Sequence, residues 1–245
     1  MNWLTYLFPQ SAARKRFDAT KVAATNGDAL AQYDLGIYYS LGQGIAKDDA
    51  EAVMWWRKAA EQNLAPAQLN LGICYELGKG IEKNDLQAVS WWRKAADQNL
   101  PQAQSNLGAC YDKGQGVAKD PLEAVRWFRR AAEQNDAEAQ HNLGFCYAIG
   151  NGVEKDQEEA FRWYHKAADQ NLAKSQHNLG ICYYNGDGVT KSDVDAYKWF
   201  ILASRQGNKE SQTNLSIMQP SMRPQQMAEA QRLVLEFVTH NQSRF

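Results

Sequence analysis

Apolar residues along this chain fall into alternating helical stripes. Over residues 65–77, Ala67, Leu71, Cys74 and Tyr75 stand at i, i+4, i+7 and i+8, one face of an α-helix. Ala52, one of Trp55 and Trp56, Ala59 and Ala60 form a second such stripe over residues 49–62. Both patterns recur every 36 residues. Leu-Gly stands at 35–36, 71–72, 107–108, 143–144 and 179–180, and Leu215–Ser216 keeps the beat without the glycine. Aromatic pairs follow in step at 55–56, 91–92, 127–128, 163–164 and 199–200, then Ala-Ala at 59–60, 95–96, 131–132 and 167–168. A period of this length marks an array of stacked units.

Each copy predicts two helices, A and B. Gly78 ends helix A of the second copy, since glycine takes the left-handed cap without a Cβ clash. Asp48, Asn84, Asp120, Asp156 and Ser192 are N-caps for the B helices. Glu51, Gln87, Glu123 and Glu159 stand three positions on and predict a capping box, with Asp195 in the last copy. Pro121 suits a first helical position. Asn63, Asn99, Asn135 and Asn171 fall where a left-handed residue must follow each B helix, with Gly27 and Gly207 at equivalent places. The fold class is therefore all-α: a superhelix, or solenoid, of stacked helix-turn-helix repeats.

The divisions are an N-terminal strip and half-repeat (1–27), five repeats (28–63, 64–99, 100–135, 136–171, 172–207) and a partial sixth repeat with a closing helix (208–245). Residues 12–26 align with a B helix lacking its aromatic pair. A sixth A helix is expected over 208–218 and an amphipathic one over about 225–240, carrying Met227, Ala230, Leu233, Val234 and Phe237. Stacked arrays need such terminal units, each with a polar outer face.

AQLNLGICYELGKGIEKNDLQAVSWWRKAADQN resembles the Sel-1-like repeat, a relative of the tetratricopeptide repeat. The order LGxxY, GxGV or GxGI, a capped B helix and an aromatic pair before KAA carries the resemblance through residues 28–207. It implies a right-handed α-solenoid with a concave side lined by A helices. It also implies an adaptor or scaffold role, holding proteins or peptides.

With 44% hydrophobic and 22% charged residues, the chain reads as folded and soluble. Its 27 Lys and Arg against 28 Asp and Glu give no electrostatic drive toward nucleic acid or anionic membrane. No apolar run approaches the roughly 20 residues of a membrane span. MNWLTYLFPQ lacks a basic n-region, so a cytoplasmic location is expected. This strip reads as an anchor packing on the first helices, with a membrane contact through Trp3, Leu4, Leu7 and Phe8 as the alternative.

Four features invite chemistry. Cys74, Cys110, Cys146 and Cys182 recur once per repeat, and equivalent helices in a stack lie ~8–10 Å apart. That is too far for a disulfide or for one tetrahedral zinc, so the thiols read as core. The family's disulfide-stapled branch has paired cysteines in its repeats, so its extracellular setting does not carry over. The Gly-x-Gly turns follow a helix and lack a P-loop ending, which makes them turns. The aromatic pairs read as inter-repeat core, with a stacking platform as the alternative. His141 and His177 share a column with Tyr33, Leu69 and Ser105, but two imidazoles without a third ligand make a poor metal site. No cofactor and no metal are implied.

Positions that vary between copies are the candidates for specificity. The binding groove proposed on this ground comprises Tyr33, Leu41, Leu69, Glu76, Leu77, Asp112, Lys113, His141, His177 and Tyr184. Asn70, Asn106, Asn142 and Asn178 form a further column, which either clamps a peptide backbone through its amides or ties helix A to a neighbouring loop. The expected function is non-enzymatic capture of a protein or peptide. The alternative is a β-lactam-type hydrolase or penicillin-binding protein, but neither Ser-x-x-Lys nor Lys-Thr-Gly occurs. Base-by-base RNA binding would need a basic column, and Lys113 is the lone cation in the varying columns.

Overall fold

The computed structural model describes residues 12–242, and the terminal strip 1–10 lies outside them. Every regular element among the described residues is helical. They form two compact units, one through Asp120 and one from Pro121. The first holds α1 (Ala12–Thr25), α2 (Ala29–Leu41), α3 (Asp49–Glu61), α4 (Ala65–Leu77), α5 (Asp85–Asp97) and α6 (Pro101–Lys113). The second holds α7 (Pro121–Glu133), α8 (Ala137–Ile149), α9 (Gln157–Asp169), α10 (Ala173–Asn185), α11 (Asp193–Arg205), α12 (Lys209–Met218) and α13 (Pro224–Gln242). A 3-10 turn at Gln219–Ser221 carries Pro220, and Pro224 starts α13. Within each unit every helix packs on its chain neighbours, except that α13 returns to α11. Even-numbered helices are the A helices of the sequence pattern; odd-numbered ones from α3 to α11 are the B helices.

The two helices of a copy are held together by a glycine facing an aromatic ring. A Cβ on Gly72 would stand 2.4 Å from Nε1 of Trp92, and one on Gly36 at the same distance from Trp56. In the second unit the rings are Tyr164 opposite Gly144 and Phe200 opposite Gly180. Where the ring is tryptophan, its indole N–H donates to the helix A carbonyl of Tyr33 or Leu69 at 3.2 Å. Buried Ala59, Ala60, Ala95 and Ala96 leave room for the next A helix to pack on helix B.

Successive copies are joined through the second turn glycine. Gly80 has φ +70°, and a Cβ there would meet the Asp49 carbonyl of the preceding B helix at 2.1 Å. Gly44 meets Ala13 of α1 in the same way, so α1 occupies the place of a preceding B helix. Asn63, Asn99, Asn135 and Asn171 have φ of 64–67°, as their position demands.

The capping box forms only by half. The side chains of Asp48, Asn84, Asp156 and Ser192 accept the first-turn amides. Their own N–H groups donate instead to the helix A carbonyls of Tyr39, Tyr75, Tyr147 and Tyr183, each at 2.9 Å. The returning loop brings each N–H onto that helix A carbonyl, so the third-position side chains are not needed there. Glu51 then accepts from Trp55 Nε1, and Glu159 pairs with Arg162.

A buried amide relay completes the stack. Gln68 is 1% exposed, donates to the Ala60 carbonyl at 3.2 Å and to Asn63 Oδ1 at 3.1 Å, and accepts from Gln98 at 2.7 Å. Gln140 and Gln176 repeat this arrangement, receiving Gln170 and Gln206. Asn63, Asn135 and Asn171 thus turn the chain and also accept from two glutamines each, which a glycine could not do.

Two substitutions test this reading by denaturant unfolding. Gly72→Ala should cost about 2 kcal/mol, because overpacking against Trp92 outweighs the ~1 kcal/mol gain in helix propensity. Gln68→Leu should cost about 2 kcal/mol, because the Ala60 carbonyl keeps only the Asn63 backbone N–H while the Asn63 and Gln98 side-chain amides lose their buried partner.

Candidate functional site

The groups that invite chemistry are folded inward. All four cysteines are free and buried. Burial pushes the Cys74 thiol up to about 11 and those of Cys110 and Cys182 to about 12, so thiolate is scarce at neutral pH. Among the described residues no group of His, Cys, Asp and Glu is arranged to hold a metal.

His141 and His177 are half-buried and held by the next A helix. His141 Nδ1 lies 2.9 Å from the hydroxyl of Ser175, and His177 Nδ1 lies 2.8 Å from that of Ser211. Their rings rest on Tyr164 and Phe200, centroids 5.6 and 5.7 Å away. Desolvation, helped by the Lys174 charge, drives the His141 imidazolium down to about 3. His177 is also lowered by burial, against the opposing pull of Glu210. Ser175 and Ser211 replace alanine 34 residues after each histidine, a pairing visible in the sequence.

In the first unit, Tyr33 and Leu69 are partly buried beside the aromatic pairs, and Asn70, Asn106, Glu76 and Asp112 are also partly buried. Leu41 and Leu77 are open to solvent at 61% and 64%, and Lys113 is exposed. In the second unit Asn142 and Asn178 are half-buried, and the Asn178 side chain is hydrogen-bonded to the Tyr164 hydroxyl. Tyr184 is exposed, with the Lys191 ammonium 5.2 Å from its ring centre.

The open stripe of each A helix runs along i, i+4, i+7 and i+11. In α2 it is Leu30, Asp34, Ile37 and Leu41; in α4 it is Pro66, Asn70, Ile73 and Leu77. In α8 the stripe presents Glu138, Asn142, Phe145 and Ile149, with Phe145 46% exposed, and Ile217 of α12 is exposed as well. Leu30, Phe145 and Ile217 were missed by looking only for varying columns beside Asn70. Extending the Asn70 column by helical spacing would have found them.

Burial of neutral His141 ties stability to pH. Its folded-state pKa lies below the ordinary value, so the unfolded chain takes up a proton first and stability falls as pH drops below about 6.5. Between pH 7 and pH 5, wild type should lose about 2 kcal/mol relative to His141→Gln, read from paired denaturation curves.

A family profile described as Sel1 repeat matches residues 29–64, 65–100, 101–136, 137–172 and 173–208, each one residue after the divisions read from the sequence. Among solved structures, a Sel1 repeat protein from Oxalobacter formigenes is 36% identical, with a TM-score of 0.76 over 86% of this chain and 85% of that one. The protective antigen c5321 of uropathogenic Escherichia coli, which displays an SLR fold, is 31% identical with a TM-score of 0.61; 93% of this chain spans 56% of it. A sel1 repeat protein from Klebsiella pneumoniae, at 20% identity and a TM-score of 0.53 over 83% of this chain and 99% of that one, shares the fold. No curated protein matches the sequence. With five consecutive matches from residue 29 to residue 208, the chain belongs to the Sel1 repeat family.

Proposed function

We propose that this chain is a non-enzymatic scaffold that holds an extended peptide or a partner helix along the open stripes of its A helices. Sel1 repeat proteins are generally protein-interaction scaffolds. The observation that carries the reading is the contrast between the stripes and the groups beside them. Leu41 and Leu77 stand open in one unit and Phe145 and Ile149 in the other, while the thiols and imidazoles close by are packed away. A surface that mixes these aliphatic side chains with Asp34, Asn70 and Lys113 suits a partner recognised by apolar anchors and a few polar contacts.

The groove extends by this proposal to the half-buried Tyr33, Leu69, Glu76, Asp112, His141 and His177, which shape its walls, and to Tyr184. By the same proposal α1 caps the first repeat and α12 with α13 caps the last. Catalysis is disfavoured because the thiols are held protonated and no Ser-x-x-Lys occurs. Four free thiols suit a reducing cytoplasm, and among the described residues no helix is long and apolar enough to cross a membrane.

The test immobilises wild type beside Leu41→Glu/Leu77→Glu and identifies what each retains from the source cell. The variant should lose the retained partner while circular dichroism and melting stay unchanged. Equal retention would move the binding surface off these stripes.

A further inference from the structure

The first unit has a second surface, on the side of its B helices. Between α3 and the turn after α4 lies a recess of about 470 Å³, floored by Val53 and Ile81 and edged by Met54. One repeat on, between α5 and the turn after α6, lies its counterpart of about 380 Å³, floored by Val89 and Val117 and edged by Leu86. Met54 and Leu86 are 39% and 70% exposed.

Each recess is rimmed by two cations. Arg57 and Lys58 border the first, Arg93 and Lys94 the second. Neutral groups hold all four in place. Arg57 and Arg93 donate to the hydroxyls of Tyr75 and Tyr111 at 3.0 and 2.6 Å, and the ammoniums of Lys58 and Lys94 sit 4.1 and 4.0 Å from the ring centres of Trp55 and Trp91. None of the four makes an ion pair among the described residues, and in the second unit the equivalent Arg129 and Arg130 are held in the same way, by the Tyr147 hydroxyl and the Trp127 ring. One carboxylate per recess, Glu61 or Asp97, leaves each rim net positive in a chain whose net charge is −1.

We infer that these recesses bind an acidic peptide segment whose aliphatic side chains alternate with carboxylates. The aliphatic floors call for apolar side chains, and the preordered, unneutralised cations call for carboxylates beside them. A phosphate polyanion fits poorly, because each rim carries a carboxylate and neither floor offers an aromatic face for a base.

The probe is fluorescein-labelled Glu-Leu-Pro-Glu-Leu-Pro-Glu, titrated with the full chain and read by anisotropy. Met54→Glu/Leu86→Glu should weaken binding about tenfold, and replacing the peptide's glutamates by lysines should do the same. Leu41→Glu/Leu77→Glu, on the A-helix stripes, should leave this binding unchanged, which separates it from the proposed function. If the double variant loses helicity, Leu86→Glu alone, at the more exposed position, takes its place. Equal binding of the lysine peptide, equal binding by the Glu variant, or no binding at about millimolar peptide overturns the inference. So does oligouridine, or vesicles of anionic phospholipid, binding this surface in preference to the peptide.

Discussion

An aromatic ring lying where the Cβ of a glycine would stand fixes each helix pair within both units. Trp56 over Gly36, Trp92 over Gly72, Tyr164 over Gly144 and Phe200 over Gly180 bring helix A and helix B closer than any other residue would allow. The indole N–H of Trp56 and Trp92 then satisfies a helix A carbonyl, so the contact has a fixed rotation as well as a short separation. That rotation determines which stripe of helix A is covered and which is left open. Any binding surface on the A helices is a consequence of this packing.

The same closeness would be costly if it buried unpaired polar groups. The glutamine relay prevents that, since Gln68 and its equivalents meet both the carbonyls ending the preceding B helix and the glutamine ending their own. Repeat stacking therefore has a polar specification beside its apolar one. Sliding one copy against the next by a residue would strand these amides in a dry interior. The His141–Ser175 and His177–Ser211 pairs follow the same logic and turn two titratable rings into packing elements.

Much of this was legible in the sequence. The 36-residue beat located every helix to within a residue or two, and Asn63 and Gly78 signalled left-handed backbone by residue type alone. Less legible was where hydrogen bonds go once loops fold back. Glu51 reads as half of a capping box, yet the Tyr39 carbonyl reaches the Asp48 N–H first, a contact no local rule contains. His141 varies between copies and so looks like surface, but its ring is set against Ser175, 34 residues away, and against Tyr164. The glutamines at 68 and 98 were on the page at the right period, and only three dimensions showed that they meet.

The sequence by itself determined the repeat, its helices, their caps and the side of each helix that must be apolar, because these depend on backbone conformation and periodicity along the chain. Only the tertiary structure decided which apolar residues stay in solvent. Leu41 and Cys74 lie on helices of the same kind, yet one is 61% exposed and the other 3%. Exposure is a property of what packs against a residue, and that was settled by rings, amides and turns contributed from neighbouring repeats.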